Sequence, residues 1–388
     1  MLLGVYGFGL SLLLGRGTYK MFLYVCAVAV AGMLWNGRGK ITLDRPVGWM
    51  LGFGAVFLVQ GLIMAGKPVA GDFHWVLGWS MLVASAVTLL PERVTPRISH
   101  WSVMIVMMVV FVLFHGGAYL WWSRQTVTVY GLQGAFKNPH YLAMYAMLTI
   151  IVLFFLVFEN RGWLRWALIP VLLGDLWLLG LTGSHPTALA MASGLLVLLP
   201  FFSARVSGTV IAAILLTVLG LQLGGLYDFS AKFQEAVDFL EHEERWTIWR
   251  EFWMLQNGGS AWQWGFGHGL GQFFWDYQPV SSFHANAEKQ DFASPHNYLL
   301  EMLYSHGVTG LALFILAGGL WFKGLLAGIS ASRTPEQRHQ GWLLLSLTTA
   351  QWVLGFFTMP FFSRHNLYPV SLLLGLSLRY VIDTRRNA

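Results

Sequence analysis

The sequence predicts an all-α, polytopic membrane protein of about twelve transmembrane helices, with one long loop between spans. Three observations lead there. Of 388 residues, 56% are hydrophobic and only 11% charged, with a mean hydropathy of +0.58. A soluble domain carries about 25% charged residues. Apolar runs of spanning length recur from one end of the chain to the other, and one extended polar stretch, 226–296, interrupts them. Residues 1–388 therefore read as a single integral membrane domain, with 226–296 inserted between transmembrane helices. The composition also excludes other classes. The single cysteine, Cys26, lies in an apolar run, so there is no disulfide framework and no CxxC metal knot. The formal charge of +6 comes from basic residues scattered singly between apolar runs. That is a topology signal rather than a nucleic-acid footprint.

Apolar windows place helices near 1–14, 21–35, 47–65, 75–90, 101–121, 141–158, 164–181, 187–202, 208–225, 297–322, 342–360 and 366–381. The first has no basic residue ahead of it and no clear small-residue cleavage site. It reads as a short span or an interfacial segment, not a signal peptide. One set of alternate loops holds Arg38, Lys40, Arg45, Arg93, Arg97, Arg161, Arg165, Arg205, Lys323, Arg333 and Arg338, and the tail adds Arg385 and Arg386. The opposite short loops hold only Arg16, Lys20, Lys67, Arg124, Lys137 and Arg364. The positive-inside rule puts the first set, and both termini, in the cytoplasm. The long loop and the loops at 122–140, 182–186 and 361–365 then lie outside. These loops carry most of the unusual polar residues, and independent oddities on one side point to one site there.

Within the long loop, Phe229, Phe233, Val237 and Leu240 recur at helical spacing with charges between them. This is an amphipathic helix, expected over 229–253, lying on the outer membrane surface or capping the bundle. Glu241, Arg245 and Trp249 share one face; Trp246, Arg250 and Trp253 share another. The bland reading is a Glu241–Arg245 pair, worth about 0.2–0.5 kcal/mol. The sharper one is that the arginines meet an anion while the tryptophans sit at headgroup depth. The stretch "WGFGHGLGQF", 264–273, looks like a nucleotide loop but lacks the strand–helix context. Its glycines make a tight turn in a protein-packed re-entrant segment, or let backbone N–H groups approach a ligand.

The loop closes on "SPHNYLLE", 294–301. Ser294 or Asn297 is a candidate N-cap, and Pro295 biases Ser294 away from helical geometry. His296 would stand at the start of the helix, where the macrodipole favours anions and disfavours protonation of the ring. A neutral imidazole beside a bound anion can act as a general base. The plainer alternative is a capping or hydrogen-bonding histidine. Other polar residues fall at outer turns: Lys137, Asn138 and His140 before one span, Ser184 and His185 at another, Arg364, His365 and Asn366 at a third. Each has a structural reading as a cap, a hairpin turn or a snorkelling cation. Asp175 is different, because it lies inside an apolar run about two turns from the outer end. An intramembrane carboxylate is paired or functional; His185, His115 and Arg364 are candidate partners. No HExxH or HxxEH pattern occurs among the twelve histidines, and no DxD or ExD pair falls in an outer loop. The expectation is a chemistry without metal or cofactor.

Taken in order, "GAFKNPHYLAMY", "LTGSHPTALA", "ERWTIWREFW", "WGFGHGLGQF" and "SPHNYLLEMLYSHGVTGL" resemble the O-antigen ligase and polymerase superfamily of bacterial membrane glycosyltransferases. The resemblance implies a GT-C-like helical fold in the bacterial inner membrane. It implies a glycan donor linked to undecaprenyl diphosphate, used on the periplasmic face. Ligases pass the glycan to the lipid A core, polymerases to another carrier-linked repeat, and a related group to a protein hydroxyl. By this resemblance His296 is the catalytic histidine and Arg245 the long-loop arginine that grips the diphosphate. Arg250, Lys137, Arg364 and His185 would add diphosphate contacts. Asn297, Ser184, His140 and Asp175 would support them. Two positions depart from the family: His185 stands where it often has arginine, and His140 where it often has asparagine. Besides donor and acceptor, the implied partners are membrane lipids, with no nucleic acid. A ligase is the first reading and a polymerase the second, followed by a protein O-oligosaccharyltransferase. From another class, a lipid-linked glycan transporter would place polar residues at the midplane and repeat its broken helices.

Overall fold

A bilayer offers no water to backbone polar groups, so spanning segments satisfy them internally as helices. The computed structural model describes residues 45–66, 80, 84, 108–117, 127–128, 131–132, 138–160, 162–202, 244–282, 294–358, 361 and 363–386. Expected spans at 1–14, 21–35 and 208–225 lie outside these, that at 75–90 largely so, and that at 101–121 is described over 108–117. Along the chain come α1 (Arg45–Ile63), α2 (Met108–Gly117), β1 (Val127–Thr128) and β2 (Gly131–Leu132). Then follow α3 (Pro139–Glu159), α4 (Trp163–Thr182), α5 (His185–Leu198) and a 3-10 turn at Leu199–Phe201. The long-loop region contributes α6 (Glu244–Asn257), α7 (Ala261–Phe266) and α8 (Gln272–Tyr277). The chain closes with α9 (Tyr298–Ala331), α10 (Pro335–Phe357) and α11 (Arg364–Arg386). The protein is a mostly helical membrane protein. Its one departure from all-α among the described residues is the antiparallel β1–β2 ribbon, Val127 paired with Leu132 and Thr128 with Gly131.

Three of the described helices are long and apolar enough to cross a membrane: α3, α4 and α9. α10 and α11 fill the windows expected at 342–360 and 366–381, but with polar buried faces. Ser346, Thr348, Gln351, Asn366, Ser371 and Ser377 all point inward. The amphipathic helix expected over 229–253 is described from Glu244 and runs to Asn257; residues 229–243 lie outside the described set.

α3 is the hub. Asn138 caps it by accepting from the His140 N–H at 2.8 Å, and Pro139 occupies the first turn, where no N–H is needed. Its apolar side chains are buried on all sides, against α4, α5 and α10. α5 and α10 approach closely through small residues. A Cβ on Gly194 would come within 2.9 Å of Ala350, and Ser346 donates to the Gly194 carbonyl at 2.7 Å. One end of the bundle is tied by His339 on Glu159 at 2.9 Å and by Arg165 on the Val157 carbonyl at 2.8 Å. The functional candidates gather at the other end.

The glycine stretch explains how the loop region is attached. α9 is broken at Gly307, whose φ of 67° and ψ of −170° are open to glycine. A break exposes carbonyls that must be satisfied within the membrane. The loop supplies the donors: His268 N–H to Tyr304 O at 2.7 Å and Gly269 N–H to Ser305 O at 3.1 Å. Leu270 N–H goes to Gly61 O at 2.9 Å, and Gln60 Nε2 reaches Phe266 O and His306 O. The glycine stretch is thus a turn packed on protein. The His268 ring stacks on Tyr304 at 4.1 Å, with Asp276 3.8 Å away. Burial lowers the ring's proton affinity below the ordinary histidine value, and Asp276 pulls the other way.

A Cβ on Gly307 would lie 2.5 Å from the Gly265 and Phe266 backbone, whereas one on Gly319 meets nothing within 4 Å. Thermal unfolding in detergent should show Gly307→Ala destabilised by at least about 2 kcal/mol. Gly319→Ala should be neutral or stabilising by up to about 1 kcal/mol.

Candidate active site

The last carbonyls of a helix have no partner within it. α10 ends at Phe357 with Thr358 as its cap, and α9 begins beside this end. Asn297 caps α9, accepting from the Leu299 and Leu300 N–H groups, while its Nδ2 donates to Phe356 O at 2.9 Å. His296 Nδ1 lies 3.1 Å from Thr358 O. The start of one helix and the end of the other thus cap each other. That is why the polar run Ser294–Asn297 precedes an apolar helix.

A carbonyl can only accept, so the Nδ1 of His296 carries the proton and the lone pair of the neutral ring lies on Nε2. This is the tautomer a general base needs. His296 is also the one non-glycine residue with positive φ, 52°, among the described residues. Such a backbone costs about 1–2 kcal/mol and persists only where surroundings impose it. The constraints are visible: Ser294 Oγ accepts from the His296 N–H at 3.3 Å, and Trp249 Nε1 donates to Pro295 O at 2.9 Å.

Trp249 belongs to α6, which also carries Arg245. Ile248 and Phe252 bury this helix against Phe273, Tyr277, Leu303 and Tyr304. Buried Glu251 accepts from Tyr277 OH at 2.7 Å and from the Ser282 N–H at 3.1 Å. With that face fixed, Arg245 Nη2 donates to Thr358 Oγ1 at 3.1 Å. One threonine therefore receives both groups, the histidine at its carbonyl and the arginine at its hydroxyl. His140 completes the cluster from α3: its ring lies within electrostatic range of Arg245 and His296, and its Nδ1 meets Ser184 Oγ at 3.1 Å. Ser184 in turn meets Thr187 Oγ1 at 2.7 Å.

The sequence-derived residues divide accordingly. His296, Arg245, Asn297, His140 and Ser184 come together. His185 is exposed at the start of α5, next to Ser184. Arg250 is exposed too; five residues from Arg245, it projects about 140° around the helix. It shares its face with the exposed Trp246 and Trp253. Lys137 lies outside the described residues, and Arg364 opens α11 with a side chain outside the described set. Asp175 is buried against Thr149 rather than at the cluster. Thr149 is nine residues beyond His140, about 13 Å along the helix.

Beneath the cluster, Tyr298 OH and Gln351 Nε2 both donate to Asn366 Oδ1, joining α9, α10 and α11. Beside this floor is an apolar cavity of about 540 Å³, lined by Phe57, Tyr298, Phe314, Trp321, Trp352 and Phe361 among others. Thr358 and Thr187 are site residues that sequence reasoning did not single out, and Trp249, expected at headgroup depth, instead donates to the Pro295 carbonyl. Thr358 acts partly through a backbone carbonyl, which no residue pattern marks.

The model of the O-antigen ligase family matches residues 170–315. The matched stretch belongs to the O-antigen ligase superfamily. It contains Ser184, Arg245, His296 and Asn297, while Thr358 and His140 are brought to the O-antigen ligase segment from outside it. No curated protein matches the chain.

Replacing Thr358 by valine keeps the carbonyl and removes the hydroxyl. Thr358→Val should lose about 1–3 kcal/mol, because the half-buried Arg245 donor is left without that acceptor. Thr358→Ser should retain it. Denaturation of both variants in detergent measures the difference.

Proposed function

We propose that the protein is a glycosyltransferase that moves a glycan from undecaprenyl diphosphate to the lipid A core, at the periplasmic face of the bacterial inner membrane. The family supports ligase- or polymerase-type transfer from a lipid-linked glycan. The observation that carries the reading is the convergence of His296 and Arg245 on Thr358. The chemistry needs both. A sugar diphosphate is already activated, and its leaving group needs charge stabilisation rather than a proton. A guanidinium has five donors in a fork that matches phosphate oxygens, and Thr358 occupies one of them in the free protein.

In the proposed step the acceptor hydroxyl gives its proton to His296 Nε2. Its oxygen bonds to the anomeric carbon, and the bond from that carbon to the phosphate oxygen breaks. Undecaprenyl diphosphate leaves with the electron pair, held by Arg245. Displacement from the opposite side inverts the anomeric centre. Lys137, Arg364, Arg250 and His185 are further candidates for the diphosphate. His140 and Ser184 support the pocket from α3 and α5. Asp175 acts from within the bundle. The apolar cavity beside Tyr298 and Phe361 suits a donor with a long hydrocarbon tail.

The same reading takes the fold as GT-C-like with about twelve spans, both termini cytoplasmic and 226–296 periplasmic. Polymerase chemistry is identical up to the acceptor, so the acceptor decides between the two. A transporter fits less well: among the described residues the break at Gly307 is the one broken helix, and its freed carbonyls are taken by the protein's own loop.

Reconstituted protein given a carrier-linked glycan should glycosylate lipid A core. His296→Ala should lower the rate about 10²–10⁴-fold. Arg245→Ala should lower it about 10²–10³-fold. Both should still insert and fold. EDTA should leave transfer intact, since arginine supplies the charge a metal would; a strict divalent-ion requirement would refute that mechanism. Transfer only onto a second carrier-linked glycan would make the protein a polymerase.

A further inference from the structure

We propose that Glu301 is a positioning residue for this site, resting on the transfer reading above: it holds the turn residue Phe361, three positions after Thr358, and through Thr358 it holds His296 and Arg245. Glu301 stands in the first turn of α9, where an acid is ordinarily read as a complement to the helix dipole. That account predicts an exposed side chain facing water. Instead Glu301 is buried, at 4% relative exposure, and its Oε2 accepts from the Phe361 N–H at 2.6 Å. A carboxylate is buried only with compensation, and a short bond to a backbone N–H is charge-assisted compensation.

The bond joins two segments sixty residues apart. On the α9 side, Glu301 lies one turn after Asn297 and His296. On the other side, Phe361 lies three residues after Thr358. The ties now form a ladder. Asn297 bonds to Phe356 O, His296 to Thr358 O, and Glu301 to Phe361 N. The first two grip carbonyls at the end of α10; Glu301 alone among them grips the chain beyond it. Phe361 O also accepts from Asn366 Nδ2 at 3.3 Å, which extends the hold into α11 near Arg364. The Glu301 bond thus adds a hold on the chain beyond Thr358 that neither His296 nor Arg245 makes in these interactions. Glu301 touches neither His296 nor Arg245 in these interactions, so its effect is through the turn.

The test compares Glu301→Ala with Glu301→Gln, since glutamine keeps an oxygen that accepts from Phe361 while removing the charge. Hydrogen–deuterium exchange over the segment around Phe361 is read first. Glu301→Ala should exchange there about tenfold faster or more at unchanged protection of α3, and Glu301→Gln should remain protected. Histidine-selective ¹⁵N NMR should show the Nδ1–H tautomer of His296 lost or mixed in Glu301→Ala and restored in Glu301→Gln. In the transfer assay Glu301→Ala should fall about 10²-fold, the cost of misplacing reacting groups by about an ångström, with recovery to within about threefold in Glu301→Gln. Unchanged exchange and tautomer in a folded Glu301→Ala protein overturn the proposal. So does a Glu301→Gln variant as impaired as the alanine one. If alanine prevents folding, exchange and tautomer in Glu301→Gln decide. If wild-type protein transfers no glycan while the exchange and tautomer results hold, the transfer reading fails and the hold of Glu301 on the turn stands.

Discussion

Thr358 receives a histidine ring at its carbonyl and a guanidinium at its hydroxyl, and the rest of the site depends on that double contact. It is possible because Thr358 caps α10, where carbonyls lie beyond the reach of the helix's own donors. The electron-rich end of a helix attracts cations and N–H donors. Arg245 and His296 arrive from different elements, and nothing in the local sequence of either would bring them together. The end of α10 supplies the common address. It also selects the histidine tautomer, so one contact sets both the position of the ring and the nitrogen on which it can accept a proton.

That arrangement needs the long-loop region to be rigid with respect to α9. A helix lying on a bilayer surface would hold Arg245 only loosely. Here the region is fixed at two points, one within α6 and one after α7. Trp249 bonds to the Pro295 carbonyl next to His296, and the glycine stretch after α7 docks its backbone on the break in α9. The approach of Gly267 and Gly307 leaves no room for a Cβ at either. The unusual backbone of the loop therefore serves attachment. The unusual backbone of His296, with its positive φ, serves the site.

Much of this was legible in the residues. Apolar windows located α3, α4, α5, α9, α10 and α11 to within several residues, because hydrophobic length is what a bilayer demands. Loop asymmetry grouped His140, Ser184, Arg245 and His296 on one side, and the structure gathers all four at one end of the bundle. Asn297 is one of two candidate caps, with Ser294, from its place before an apolar run, and the structure selects it. Other parts were not legible. Spacing alone does not separate Arg245 from Arg250, and the resemblance puts Arg245 first; five residues separate two helix faces, and packing by Ile248 and Phe252 decides which turns inward. Thr358 contributes a backbone carbonyl from a window that reads as ordinary span. Glu301 was not singled out, because its partner lies sixty residues away. The extension of α9 to Ala331, beyond an expected end at 322, reflects a helix that continues past its apolar stretch.

The account stands on a diphosphate bound between an arginine and a histidine that share one threonine. An experimental structure with undecaprenyl diphosphate bound tests this most directly. The expected result has phosphate oxygens within about 3 Å of the Arg245 guanidinium, hydrocarbon tail in apolar surroundings, and His296 Nε2 facing the position of the sugar carbon. A diphosphate seated at the opposite end of the bundle, near Arg165 and His339, would contradict it. So would one held at this end without any contact to Arg245.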